Sequence, residues 1–152
     1  MSRADRARAL FLEGYNCAQA VAVAFADLMG MSEAQAALMT SGFGGGMGRL
    51  REVCGSVSGA VFVLSNLYGY SEPKDFEGKK RLYGEIQTVA GEFAARNGSV
   101  VCRELLGIKT PGADSPVPEQ RTAAYYKKRP CPDLIWDSAD ILEKYIANRK
   151  TS

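Results

Sequence analysis

Residues 53–71 read VCGSVSGAVFVLSNLYGYS, and this stretch decides the fold. No charged residue interrupts it, and it is the longest such run in the chain, approaching the length of a membrane span. Gly55, Gly59, Gly69, Ser56, Ser58, Ser65 and Asn66 make it too polar for one. It reads instead as a buried core helix from roughly Leu50 to Tyr68, ended by Gly69. Gly55 and Gly59 fall one turn apart on one face, where missing side chains let a second helix come close. That spacing serves packing as well as it would serve a functional site.

Helical signals continue on both sides. Ser2 caps a helix to about Glu13, and Gly14 and Tyr15 break it. Asn16 followed three residues later by Gln19 has the form of a capping box and starts an Ala- and Val-rich helix expected to stop at Gly30. Ser32 caps a third helix, Glu33 to about Thr40, and Ser41 to Gly48, SGFGGGMG, is a specially shaped loop. Beyond the core helix, Glu72 to Asn97 forms a long fifth helix starting near Pro73 and ending at Gly98. Ser99 caps a short sixth, Val100 to Leu106, stopped by Gly107. Pro111, Pro116 and Pro118 make residues 108–118 an irregular connection. Glu119 to Lys128 is one short helix, and Pro132 takes the first position of a last helix to about Asn148. No alternating strand run and no repeat is present. The expectation is an all-α, single-domain bundle over residues 1–152, with six to eight helices and a glycine-rich loop before the fourth.

Composition narrows the chemistry. The 152 residues are 46% hydrophobic and 24% charged, the balance of a soluble globular protein. Nineteen Lys and Arg against 17 Asp and Glu give a net charge of +2, which implies no strongly anionic partner. The chain has no histidine. Ser-His-Asp and Cys-His nucleophile pairs are therefore excluded, as are His-ligated zinc and iron. Four cysteines remain as the candidates for chemistry, set against their other common use as small core residues. The charged N-terminal sequence MSRADRARALF lacks the apolar segment of a secretory signal. A cytoplasmic location is expected, where grouped cysteines are redox-active or metal-binding more often than structural.

Cys17, Cys54, Cys102 and Cys131 lie in four separate stretches, none in a CxxC pair. Their common feature is position. Cys17 follows the cap Asn16, Cys102 lies in the first turn after Ser99, and Cys131 precedes Pro132 in a cap position. Cys54 comes early in the fourth helix, close to Arg49 and Arg51. Helix starts present unpaired N–H groups and partial positive charge, both of which favour thiolate over thiol. The intervening glycines allow backbone to approach a cofactor or a neighbouring helix. No phosphate-loop or dinucleotide pattern is present, and no strand precedes the glycine loop.

Four segments in order, GYNCAQAV at 14–21, CGSVSGA at 54–60, VCRELLG at 101–107 and Cys131 before the last helix, resemble the C_GCAxxG_C_C family of small redox-active proteins. The likeness covers roughly Leu10 to Ile146, with one departure: the alanine of the family's CGAxxG motif is Ser56 here. It implies a helical fold and redox activity centred on the four cysteines, without a defined substrate.

The main reading is thiol–disulfide exchange with a small oxidant or redox partner whose identity is open. Cys54 is the expected nucleophile because of Arg49 and Arg51, Cys17 the resolving cysteine, and Cys102 with Cys131 a second pair. The alternative is a thiolate-bound metal or iron–sulfur cluster held by Cys17, Cys54, Cys102 and Cys131. Gly44, Gly45, Gly46, Gly48, Gly55 and Gly59 would then offer close backbone approach or N–H groups to the sulfurs. Lys79-Lys80-Arg81 and Lys127-Lys128-Arg129 read as solvated helix faces, so no nucleic acid is expected. Trp136, with Ile135, Leu142 and Ile146, is expected in the core. A homodimer is compatible with so small a helical chain, symmetric pairs being the commonest assembly.

Overall fold

Side-chain caps set where most of the helices begin. In the computed structural model, which describes residues 1–151, Ser2 Oγ accepts the Asp5 N–H at 3.0 Å and starts α1 (Arg3–Glu13). Asn16 and Gln19 complete a reciprocal capping box at the start of α2 (Cys17–Ala24). Ser32 caps α3 (Glu33–Met39). A single 3₁₀ turn, Ser41–Phe43, leads into the short turn α4 (Gly44–Met47). Then come α5 (Gly55–Tyr68), α6 (Phe76–Asn97, capped by Asp75), α7 (Cys102–Leu106), α8 (Ala123–Lys128, capped by Thr122) and α9 (Cys131–Thr151). Each such cap is worth about 1 kcal/mol.

The bundle is formed by α1, α2, α5, α6 and α9: α1 packs on α9 and α2, α2 on α5, and α5 and α6 on α9. One continuous core fills it, with Phe11, Phe25, Phe93, Leu64, Ile135 and Leu142 fully buried. Gly59 explains the close approach of α5 to α2, because a Cβ there would stand 2.8 Å from the Ala18 carbonyl oxygen. Ile135, Leu142 and Ile146 are core as expected. Trp136 is half-buried and ties α9 to α1, its Nε1–H donating to Asp5 at 2.9 Å and its ring lying under Arg8. Among the described residues no helix is long and apolar enough to cross a membrane.

The all-α architecture matches the sequence expectation, with nine α-helices among the described residues where six to eight were expected. Several boundaries differ. The second helix ends at Ala24 instead of Gly30, since the backbone tightens to i→i−3 bonds from Phe25 onward. The core helix begins at Gly55, not Leu50, because Arg49 and Arg51 have positive φ and Val53 pairs with Val101 in an isolated antiparallel bridge. That bridge also delays α7 from Val100 to Cys102, and Ser99 Oγ accepts the Val101 N–H without being the cap residue. The fifth helix starts at Phe76 and not Glu72, and α8 starts at Ala123 and not Glu119. The last helix takes in Cys131 and runs past Asn148 to Thr151.

Candidate functional site

Above the α2 and α5 N-termini the chain leaves ordinary helix geometry. Gly45, Gly46, Met47, Gly48, Arg49 and Arg51 all have φ between 55° and 71°, a left-handed run that includes three residues with side chains. Left-handed backbone costs a residue with a side chain about 1–2 kcal/mol. The turn is held by Gly48, Arg51 and Glu52 N–H groups bonded to the carbonyls of Gly42, Gly45 and Gly46. The following antiparallel bridge then fixes the backbone of two cysteines, one at each end: Cys54 N–H bonds Val100 O at 2.8 Å, and Cys102 N–H bonds Glu52 O at 2.6 Å.

All four cysteines line a single cavity of about 400 Å³. All four are free thiols, Cys54 and Cys102 buried, Cys17 and Cys131 half-buried. Cys17 and Cys131 begin α2 and α9, Cys102 begins α7, and Cys54 is the residue before α5, not a residue inside it. The glycines shape the space between them. A Cβ on Gly55 would lie 2.9 Å from Cys17 Sγ, and one on Gly46 would lie 2.7 Å from both Cys102 Cβ and the Glu52 amide nitrogen. Gly44, Gly45, Gly48 and Gly55 face the cavity, whereas Gly46 and Gly59 lie against neighbouring backbone behind it.

The electrostatics depart from the expectation of easily ionised thiols at helix starts. Burial pushes the Cys54 thiol up to about 12, with the nearby Cys17 and Cys102 adding to the shift and the Ser56 hydroxyl opposing it. Burial likewise raises Cys131 to about 12, aided by Cys17 and Cys54. Cys17 is also raised by burial, although the Gly45 N–H donates to its sulfur. Desolvation outweighs the helix-terminal field at these three positions. Each of the four thiols lies close enough to feel the charge of the other three.

The arginine expected beside Cys54 faces a different sulfur. Arg51 Nη1 stands 3.7 Å from Cys102 Sγ, and its Nε donates to Asp114 Oδ2 at 2.8 Å. The guanidinium holds the Asp114 carboxyl below its usual range. Ser56, the departure from the family motif, is fully buried, with its Oγ 3.1 Å from Cys54 Sγ and its carbonyl accepting from Ser138 Oγ at 2.7 Å. Among the described residues no three His, Cys, Asp or Glu side chains are grouped so as to hold a metal ion.

The irregular connection contributes more to the site than its sequence revealed. Arg49 Nε donates to Ser115 O at 2.5 Å, and Arg103 donates to the Thr110 and Gly112 carbonyls. These bonds fold residues 110–118 over the cavity, where Pro116 and Pro118 form part of the wall. Arg121, Tyr125 and Arg129 close the remaining side, with both guanidiniums near the Tyr125 ring. The prolines and clustered arginines are visible in the sequence, but nothing local tells which carbonyls they will meet.

An all-α bundle with four thiols around one cavity thus defines the class. The chain matches, over residues 15–145, the family described as "Putative redox-active protein (C_GCAxxG_C_C)", and it belongs to that family. No curated protein and no solved structure matches the chain.

Proposed function

We propose that this redox-family member is a cytoplasmic thiol–disulfide exchange protein in which Cys102 is the attacking thiol and Cys17 resolves the mixed disulfide. The observation that carries this is the convergence of four free thiols on one cavity, with a guanidinium against one of them. A neighbouring positive charge favours the thiolate, which is the nucleophile in exchange. Arg51 supplies that charge to Cys102, so the role expected of Cys54 passes to Cys102. Cys54 and Cys131, raised to about 12, stay protonated at neutral pH. Cys17, half-buried at the start of α2 and lining the same cavity, keeps the resolving role expected of it from the sequence.

Reduced protein prepared without oxygen should lose two free thiols on mild oxidation, and its mass should fall by two hydrogens. Cys102→Ser should abolish the response, and Cys17→Ser should trap a mixed disulfide. Stoichiometric iron with visible charge-transfer absorption in the anaerobic protein would overturn this reading in favour of a cluster on the same four cysteines.

A further inference from the structure

The cavity is charged as well as thiol-lined. Arg49, Arg51, Arg121 and Arg129 are among the residues that line it. Glu119 pairs with Arg129, and Asp114 pairs with Arg51 and sits 4.0 Å from Arg49. Arg121 has no carboxylate partner among the described residues. Its two terminal nitrogens donate to the Phe11 and Tyr15 carbonyls, and its guanidinium carbon lies 4.0 Å from the Phe11 ring centroid. Positive charge therefore exceeds negative charge around the thiols.

A second observation is independent of that excess. The Arg51 side chain is only 5% exposed, and its Nη2 is buried with no hydrogen-bond partner. Leaving a buried charged donor unpaired is unfavourable, since the group loses its water without gaining a partner. The same planar group binds Asp114 through Nε and approaches Cys102 Sγ through Nη1. Arg51 also lines the cavity, so an oxygen anion bound there would lie beside the guanidinium that faces the sulfur. The remaining wall is apolar, contributed by Phe11, Leu105, Leu106, Leu134, Pro116 and Pro118. A cavity of about 400 Å³ suits a small molecule.

We infer that the substrate of this centre is a small aliphatic disulfide bearing carboxylates, which are received by Arg51 and Arg121; this rests on the thiol-exchange function proposed above. Cys102 thiolate attacks one sulfur of the bound disulfide, forming a mixed disulfide and releasing one substrate thiolate. Cys17 then loses its proton to solvent and attacks Cys102 Sγ, closing a protein disulfide and releasing the second thiolate. The two released thiolates take up protons from solvent. The protein gives up two electrons, and the substrate disulfide becomes two thiols.

Three disulfides with the same sulfur–sulfur bond test the charge requirement: 3,3′-dithiodipropionate, 2-hydroxyethyl disulfide and cystamine, which are anionic, neutral and cationic. Rates of protein thiol loss are normalised to the rate of a free small thiol with each reagent. Dithiodipropionate should exceed cystamine by about tenfold or more, and molar salt should erode the difference. Arg121→Gln should collapse this ratio while Arg121→Lys retains most of it. Suberate, a dicarboxylate of similar length without the disulfide, should bind the unmodified protein in calorimetry, so the test survives if a variant fails to fold. Equal normalised rates, or a preference for cystamine, would overturn the anionic assignment while leaving thiol exchange standing. Suberate binding without oxidation by any of the three reagents would overturn the disulfide substrate and the exchange function together.

Discussion

The lower bundle and the roof over the cysteines obey different rules. In the bundle, α1, α2, α5, α6 and α9 bury one apolar core, with side-chain caps starting α1, α2 and α6. In the roof, residues 45–51 accept left-handed backbone, and residues 110–118 are held by arginine-to-carbonyl bonds with little apolar packing of their own. The bundle gains its stability from area removed from water, and the roof spends stability to hold four sulfurs and a guanidinium in one space. Substitutions should therefore separate the two: a bundle change should cost global stability, and a roof change should alter thiol chemistry first.

Phe93→Ala, in the bundle, should have the largest effect, about 3–5 kcal/mol in urea unfolding. Unchanged stability there would remove the distinction. Gly59→Ala forces a Cβ to 2.8 Å from the Ala18 carbonyl and should cost about 1–3 kcal/mol by separating α2 from α5. Gly46→Ala meets equally close atoms in the roof at φ +67° and should change the alkylation rate of Cys102 before it lowers the melting temperature. A melting temperature that falls as far as for Gly59→Ala, with Cys102 alkylation unaltered, would show that roof and bundle are one cooperative structure.

The buried thiols give a pH test of the same division. Cys54 and Cys131 hold their protons in the folded protein to about 12, while the unfolded chain releases them near the ordinary value of 9.0. Between those values the folded state binds more protons, so stability should fall as pH rises above about 9. Urea midpoints measured from pH 8 to 11 should show this decline, and Cys54→Ser should make it shallower, leaving the part due to Cys131. The smallest effect is expected at Met47, half-exposed at φ 71°. Met47→Gly should stabilise by about 0.5–1 kcal/mol, because glycine adopts that backbone without strain.

Much of the bundle was legible because its signals are local. Ser2, Asn16 with Gln19, and Ser32 name their helix starts, and Gly98 and Gly107 name their ends. The four cysteines were legible as a set from their ordered contexts. Which arginine meets which sulfur was not, because Arg51 reaches Cys102 only through the Val53–Val101 bridge, a pairing across distant sequence. The high thiol values were likewise illegible: helix-start position suggests easy ionisation, and only the folded packing reveals the burial that reverses it.

The wide separation of the cysteines along the chain has a mechanical consequence. The Cys17–Cys102 bond proposed here would close a loop of about 85 residues, from the start of α2 to the start of α7. Restricting so long a loop in the unfolded chain is worth about 4–5 kcal/mol in the chain-entropy treatment. The oxidised protein would then be girdled across most of its length, while the reduced protein relies on packing alone. Its redox state would be inscribed in its resistance to heat and proteases, making each turnover a reversible hardening of the whole molecule.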